Sequence, residues 1–120
     1  MNDNDSKHKL IFDLEKNSQE LKITIDIYKR ILTSAIEQTQ NDISDIESVL
    51  ADAEFEKIAE ISHRIKGDYG NMRIEQLSSL AREMQRISKE EKDKEQLLML
   101  INEFKNFFSQ LKTILQEEKT

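Results

Sequence analysis

Almost nothing in this sequence interrupts a helix. The 120 residues contain no proline and only two glycines, and both glycines, Gly67 and Gly70, fall in one short stretch. Sheets need frequent turns, and turns are punctuated by glycine, proline or asparagine. A chain so poor in breakers, and rich in Leu, Ile, Glu, Lys and Gln, is built for long helices. Its apolar fraction of 37% is low, but the apolar residues recur at helical spacing, which separates an amphipathic bundle from a disordered chain. The expected fold class is therefore all-α. The length suits one domain with a modest core, taken as residues 1–120, with 1–6 frayed and the bundle core at about 18–117.

The first stripe reads Leu10, Leu14, Leu21, Ile25, Tyr28, Leu32 and Ala35, alternating by three and four from Leu21 onward. Asn17 and Glu20 fit a capping box, so a short first helix is expected to end near Lys16 and a second to begin at Ser18. The stripe resumes at Ile43, Ile46 and Leu50, with Thr39 in the slot between. The pattern allows 18–50 to be one helix or two, and one bent helix is the preferred reading. Ala51-Asp52-Ala53 is read as a turn, with Asp52 as N-cap of the next helix. That helix carries Ile58, Ile61 and Ile65 inward and runs to about Gly70, and the following loop starts near Asn71. A further helix shows Ile74, Leu77, Leu80, Ala81, Met84 and Ile87 on one face. Ser88 to Lys94 reads as a connection. The last helix is lined by Leu97, Leu100, Ile101, Phe104, Phe107, Phe108, Leu111, Ile114 and Leu115, an aromatic stripe read as core filling.

Charge and composition exclude several roles. The net charge is −6 with the signs interspersed, which leaves no basic face for nucleic acid. Cysteine is absent, so disulfides and thiolate metal sites are impossible. No apolar run reaches membrane-spanning length and the N-terminal MNDNDSKHKL has no signal-peptide core. A cytoplasmic protein is expected, with no membrane contact and no metal site. Met1 and the polar ends are read as those of an independent protein.

The chain has two histidines. His8 lies in the polar N-terminal segment and is read as solvated. His63 is different, because of its phase. At 100° per residue, Ile61 and Ile65 fall roughly 160° from His63 and Ile58 about 140°. A core histidine would share the isoleucines' face, and this one does not. Nearest to it around the helix are Glu56, Ala59, Glu60, Lys66, Gly67 and Gly70, all within about 60°. Glycine inside a helix costs about 0.5–1 kcal/mol relative to alanine. Bare backbone one and two turns beyond an exposed histidine would let another protein's surface approach the ring, although Gly70 is equally explained as a helix C-cap. Lys66 places a cation where an anion on the ring would sit. An exposed imidazole is largely neutral and nucleophilic at cellular pH. It can accept a phosphoryl group as a phosphoramidate and pass it to a carboxylate, given positioned partners and nearby cations.

His63-Arg64-Ile65-Lys66-Gly67, followed by Gly70-Asn71-Met72, Leu77 and Leu80, resembles the signature H-x-[LI]-K-G-x-x-G-x-[LM]-G-x-x-x-L of the histidine-containing phosphotransfer (Hpt) family. The resemblance covers roughly residues 25–116. It implies an antiparallel four-helix bundle with an additional short N-terminal helix, and a relay of phosphoryl groups between the aspartates of receiver domains. Carried over by position, His63 would be phosphorylated, Lys66 would be its electrostatic partner and Gly67 would give clearance. Gln85 matches a position that often hydrogen-bonds the imidazole, although an ordinary surface glutamine fits as well. Ala59, Glu60, Gly67 and Gly70 would meet the partner. Asp68 and Tyr69 stand where small residues are usual, and Arg73 replaces a glycine. This leaves the turn after the helix in question and offers a second cation.

No glycine-rich nucleotide loop is present, so the chain is expected to be a phosphotransfer intermediate without kinase activity of its own. It is expected to be a monomer without cofactors. The Mg²⁺ would sit in the partner receiver domain, and the kinase would be a hybrid sensor histidine kinase. The competing reading is a helical interaction module that binds a kinase or receiver domain without relaying phosphate.

Overall fold

The computed structural model describes residues 8–118, which hold five α-helices and no strand. They are α1 (Leu14–Glu20), α2 (Ile25–Leu50), α3 (Phe55–Asn71), α4 (Glu75–Arg86) and α5 (Lys94–Glu118). A π-helical turn, Ile87–Glu91, extends α4. Residues 1–6, read as frayed, lie outside the described part.

Short connections reverse the chain between α2, α3, α4 and α5, and cross-links at their ends show the sense of packing. Lys94 Nζ at the start of α5 donates to the Ala51 carbonyl just past α2 (2.8 Å). At the other end, Lys29 near the start of α2 approaches Glu118 at the end of α5. The two helices are therefore antiparallel. Tyr28, in the first turn of α2, donates its hydroxyl to the Met72 carbonyl just past α3 (2.8 Å), which sets α3 antiparallel to α2 as well. Contacts join α3 to α4, α4 to α5, α2 to α3 and α2 to α5, and α1 packs on α2.

The core follows the apolar stripes. Tyr28, Leu32 and Ile46 from α2, Ile58, Ile65 and Tyr69 from α3, Leu77, Ala81 and Met84 from α4, and Leu97, Phe104 and Leu111 from α5 are all buried. The aromatic stripe of α5 is core, as read: Phe104 meets Tyr69 edge-on at 6.3 Å and stacks on Phe108 at 6.1 Å. Tyr69 shares a hydrogen bond with Thr39 (2.7 Å), so the polar residue in the stripe of α2 has a buried partner.

Four boundaries differ from expectation. Asn17 does not cap a second helix. It lies inside α1, buried, with Nδ2 donating to the Tyr28 hydroxyl (3.2 Å). The cap of α1 is Asp13, whose Oδ1 accepts from Lys16 N (3.0 Å). The chain instead breaks where Lys22 turns left-handed (φ 58°), and Thr24 caps α2 by accepting from Ile27 N (3.1 Å). The long helix is thus single but starts at Ile25, not Ser18. Asp52 is no cap either: Ala53 is left-handed (φ 56°), Glu54 occupies the cap position and its side chain makes no capping bond. Finally, Ser88–Glu91 is helical rather than connecting, and the linker shrinks to Lys92 and Asp93. In each case a local polar pattern lost to a turn that set the next stripe inward.

The segment before α1 is strapped across the bundle by three side-chain amides, one of them Asn106 on α5, which donates to His8 O (3.3 Å). Gln110 on α5 donates to His8 O (2.7 Å) and accepts from Leu10 N (2.8 Å). Gln76 on α4 donates to Lys9 O (3.1 Å) and accepts from Ile11 N (2.6 Å). Leu10 is buried between them and joins the core.

Candidate functional site

Helix α3 turns Ile58, Ile61 and Ile65 into the core and leaves His63 exposed on the opposite side. The phase reading thus holds in three dimensions. Among the described residues, nothing hydrogen-bonds the ring or pairs with it.

His63 opens onto a hollow of about 1000 Å³ between the N-terminal half of α3 and the end of α4. Ala59 and Glu60, one turn back from His63, form its α3 wall, and Gln85 faces them from α4. Ala59 is buried and Glu60 exposed. Four of the residues singled out from the sequence therefore share one depression. The other three do not line it: Lys66, Gly67 and Gly70 follow along α3 towards its C-terminus.

The two glycines have different surroundings. Apart from its chain neighbours and the nearby backbone of its own helix, a methyl group at Gly67 would meet nothing within 4 Å, whereas one at Gly70 would come to 3.2 Å from Ser78 Oγ. Ser78 is held there because its hydroxyl donates to the Lys66 carbonyl (2.9 Å). Gly70 thus has a packing reason, close approach of α3 and α4, while Gly67 is bare towards solvent. The Lys66 side chain is half-buried and has no ion-pair partner among the described residues.

The turn after α3 closes although a glycine is missing. Arg73 adopts the left-handed conformation itself (φ 66°), which costs a non-glycine residue about 1 kcal/mol or more. Its guanidinium reaches back to Glu20 (3.5 Å) and to the Gly70 carbonyl (3.4 Å). Like Lys66, it does not line the hollow.

Arg64, next to His63, serves the core rather than the hollow. It makes an ion pair with Asp42 of α2, a carboxylate that is 2% exposed and also accepts from Gln38 Nε2 (3.1 Å). Asp68, one turn on, is drawn into the same cluster. Partial burial raises its carboxyl above the ordinary range, Arg64 opposes that shift and Asp42 adds to it. Sequence reading missed Asp42 because a polar residue in a stripe gives no sign of its partner.

Sequence reading also missed the cations of the hollow: Lys57 from α3, Lys89 from the π-helical turn and Lys92 just beyond it. Lys89 stands four residues after Gln85, on the same side of the helix, and that spacing was the available signal. No group of three or more His, Cys, Asp or Glu among the described residues is placed to hold a metal ion.

The sequence matches the Hpt domain family over residues 30–117, well over half of the chain and all of α3 to α4. The chain belongs to the Hpt domain family. No curated protein and no solved structure is similar enough to count as a match. Hpt domains are helical carriers of phosphohistidine in two-component phosphorelays; they meet receiver and kinase domains and have no kinase activity of their own. The all-helical fold is the one expected of such a domain. Residues 8–29, which include the strap and α1, lie outside the matched region. No helix among the described residues of this Hpt domain is long and apolar enough to cross a membrane.

Proposed function

We propose that this Hpt domain relays a phosphoryl group between receiver-domain aspartates through His63. The observation that carries the reading is the exposed His63 ring, set opposite the buried isoleucines of α3 and open to a hollow that a second protein can enter. A ring nitrogen would form the N–P bond as the P–O bond of the receiver's aspartyl phosphate breaks, returning a carboxylate to the receiver. The reverse step would deliver the group to a second receiver. Both are in-line displacements that depend on positioning and charge more than on covalent help. The receiver supplies the Mg²⁺ and this chain brings no cofactor.

Within this reading Lys66 offsets the charge of the phosphoryl group and Gln85 orients the imidazole from across the hollow. Ala59, Glu60, Gly67 and Gly70 belong to the surface the partner covers, with Gly67 giving the closest approach. The partners are a response-regulator receiver domain and a hybrid sensor histidine kinase. The protein acts as a cytoplasmic monomer.

The test is to incubate the protein with a receiver domain carrying labelled phosphate on its aspartate. The protein should acquire acid-labile, base-stable label that maps to His63, and His63→Gln should acquire none. A receiver that binds without any label passing would instead establish a non-catalytic interaction module.

A further inference from the structure

The π-helical turn after α4 sorts its charges. Arg86 gathers three carboxylates: Glu83 (3.0 Å), Glu90 (3.4 Å) and Glu91 (3.5 Å). Glu91 is five residues from Arg86, a separation that becomes a neighbour relation in a π-turn, whose backbone bonds run from i to i+5. The turn is closed in that way, with Lys92 N donating to Ile87 O (2.6 Å) and Ser88 anchored by its hydroxyl to Met84 O (2.7 Å). Arg86 holds Glu83 below the usual carboxylate range, chiefly by hydrogen bonding. None of these three acids lines the hollow beside His63, whereas Lys89 and Lys92 of the same segment do. Among the described residues neither lysine has a carboxylate partner.

We infer that Lys89 is a second cation of the phosphoryl site, carried by the π-turn to face His63 from the α4 side of the hollow. The inference rests on His63 being the phosphoryl carrier. The charges around the hollow are Glu56, Lys57 and Glu60 from α3, Glu54 before it, and Lys89 and Lys92 beyond α4. The acids and Lys57 belong to α3 or its approach, so they sit on the wall that carries the ring itself. Lys89 stands on the opposite wall, on the same side of its helix as Gln85. A phosphoryl group on His63 would project away from α3, towards that wall. There Lys89 would stabilise the dianion over the monoanion.

Phosphorus NMR can read this without any partner protein. Phosphoramidate loads the ring: an imidazole nitrogen forms the new N–P bond as the reagent's P–N bond breaks and ammonia leaves with its electron pair. The ring then loses the proton on its other nitrogen. The phosphohistidine resonance is followed through its titration near neutral pH, where the phosphorylated imidazole gives up the proton on its free nitrogen and the net charge of the group passes from −1 to −2. His63→Gln marks any background from His8.

Lys89→Gln should raise the titration midpoint by about half a pH unit, a threefold change in the proton affinity of the group. Lys89→Arg should restore the wild-type midpoint. Lys89 is exposed, and an unchanged melting temperature would show that the fold is intact. If wild type loads at His63 but Lys89→Gln titrates at the same midpoint, the inference is overturned and the relay reading stands. If His63 takes no phosphate in wild type, the relay reading itself falls.

Discussion

At the scale of single residues, the short stretch around His63 divides its labour. The ring faces outward, Arg64 turns to the buried Asp42, and Gly67 and Gly70 differ in what surrounds them. Gly67 is the informative one, because a helix-interior glycine in open space is a cost with no packing reason. Gly67→Ala should stabilise the fold by about 0.5–1 kcal/mol through helix propensity. It should also slow phosphoryl transfer from a receiver domain, since the added methyl lies on the approach to the ring. Thermal melts and transfer rates should therefore move in opposite directions. A stabilised variant with undiminished transfer would remove Gly67 from the docking surface. Replacing Arg64 acts through the core instead: Arg64→Gln leaves the Asp42 carboxylate buried without its cation and should lower stability by about 1–3 kcal/mol, measured by urea denaturation.

At the scale of elements, what was legible in the sequence was whatever repeats. The stripes of α2 to α5 and the outward phase of His63 follow from three-and-four spacing, because burial rewards a periodic face whatever its partner turns out to be. Single polar residues were not legible in this way. Asn17 looks like a cap and is a buried donor to Tyr28. Gln76 and Gln110 look like surface glutamines, yet they hold the strap by contacts that span 65 to 102 residues of chain. Lys89 was passed over for a related reason: its helix was expected to stop at Ile87, and the π-turn that carries it onward has no periodic signature. The strap gives a prediction of its own. Gln110→Ala removes that glutamine's own two bonds to the segment, leaving those of Gln76 and Asn106, and should cost about 1–2 kcal/mol. Amide exchange at Leu10 should quicken while that of α3 stays as it was. Unchanged protection at Leu10 would show that burial of its side chain, rather than the glutamine, holds the strap.

At the scale of the whole molecule, the bundle is cross-tied by two buried phenols. Tyr28 links α1, α2 and the turn after α3, and Tyr69 links α3 to α2. Burial raises both phenols above their ordinary value of 10.0. The native state therefore keeps protons that the unfolded chain gives up, so this part of the stability is complete below pH 10 and is lost as pH rises beyond it. Melting temperatures should hold level up to about pH 10 and then fall. The fall should be shallower in Tyr69→Phe, which has one buried phenol fewer. An equally steep fall in that variant would place the alkaline sensitivity elsewhere, in the lysines.

On the proposed relay, this frame serves to hold His63 open to two partners in turn. The most direct measurement is a two-receiver chase, in which labelled phosphate starts on the aspartate of one receiver domain and a second receiver is added with the protein. The label should leave the first aspartate, pass through an acid-labile intermediate on His63 and appear on the second, and none of it should cross when His63→Gln replaces the wild type. Label that reaches the second receiver equally well through His63→Gln, or that never enters the wild-type protein, would rule out relay through His63.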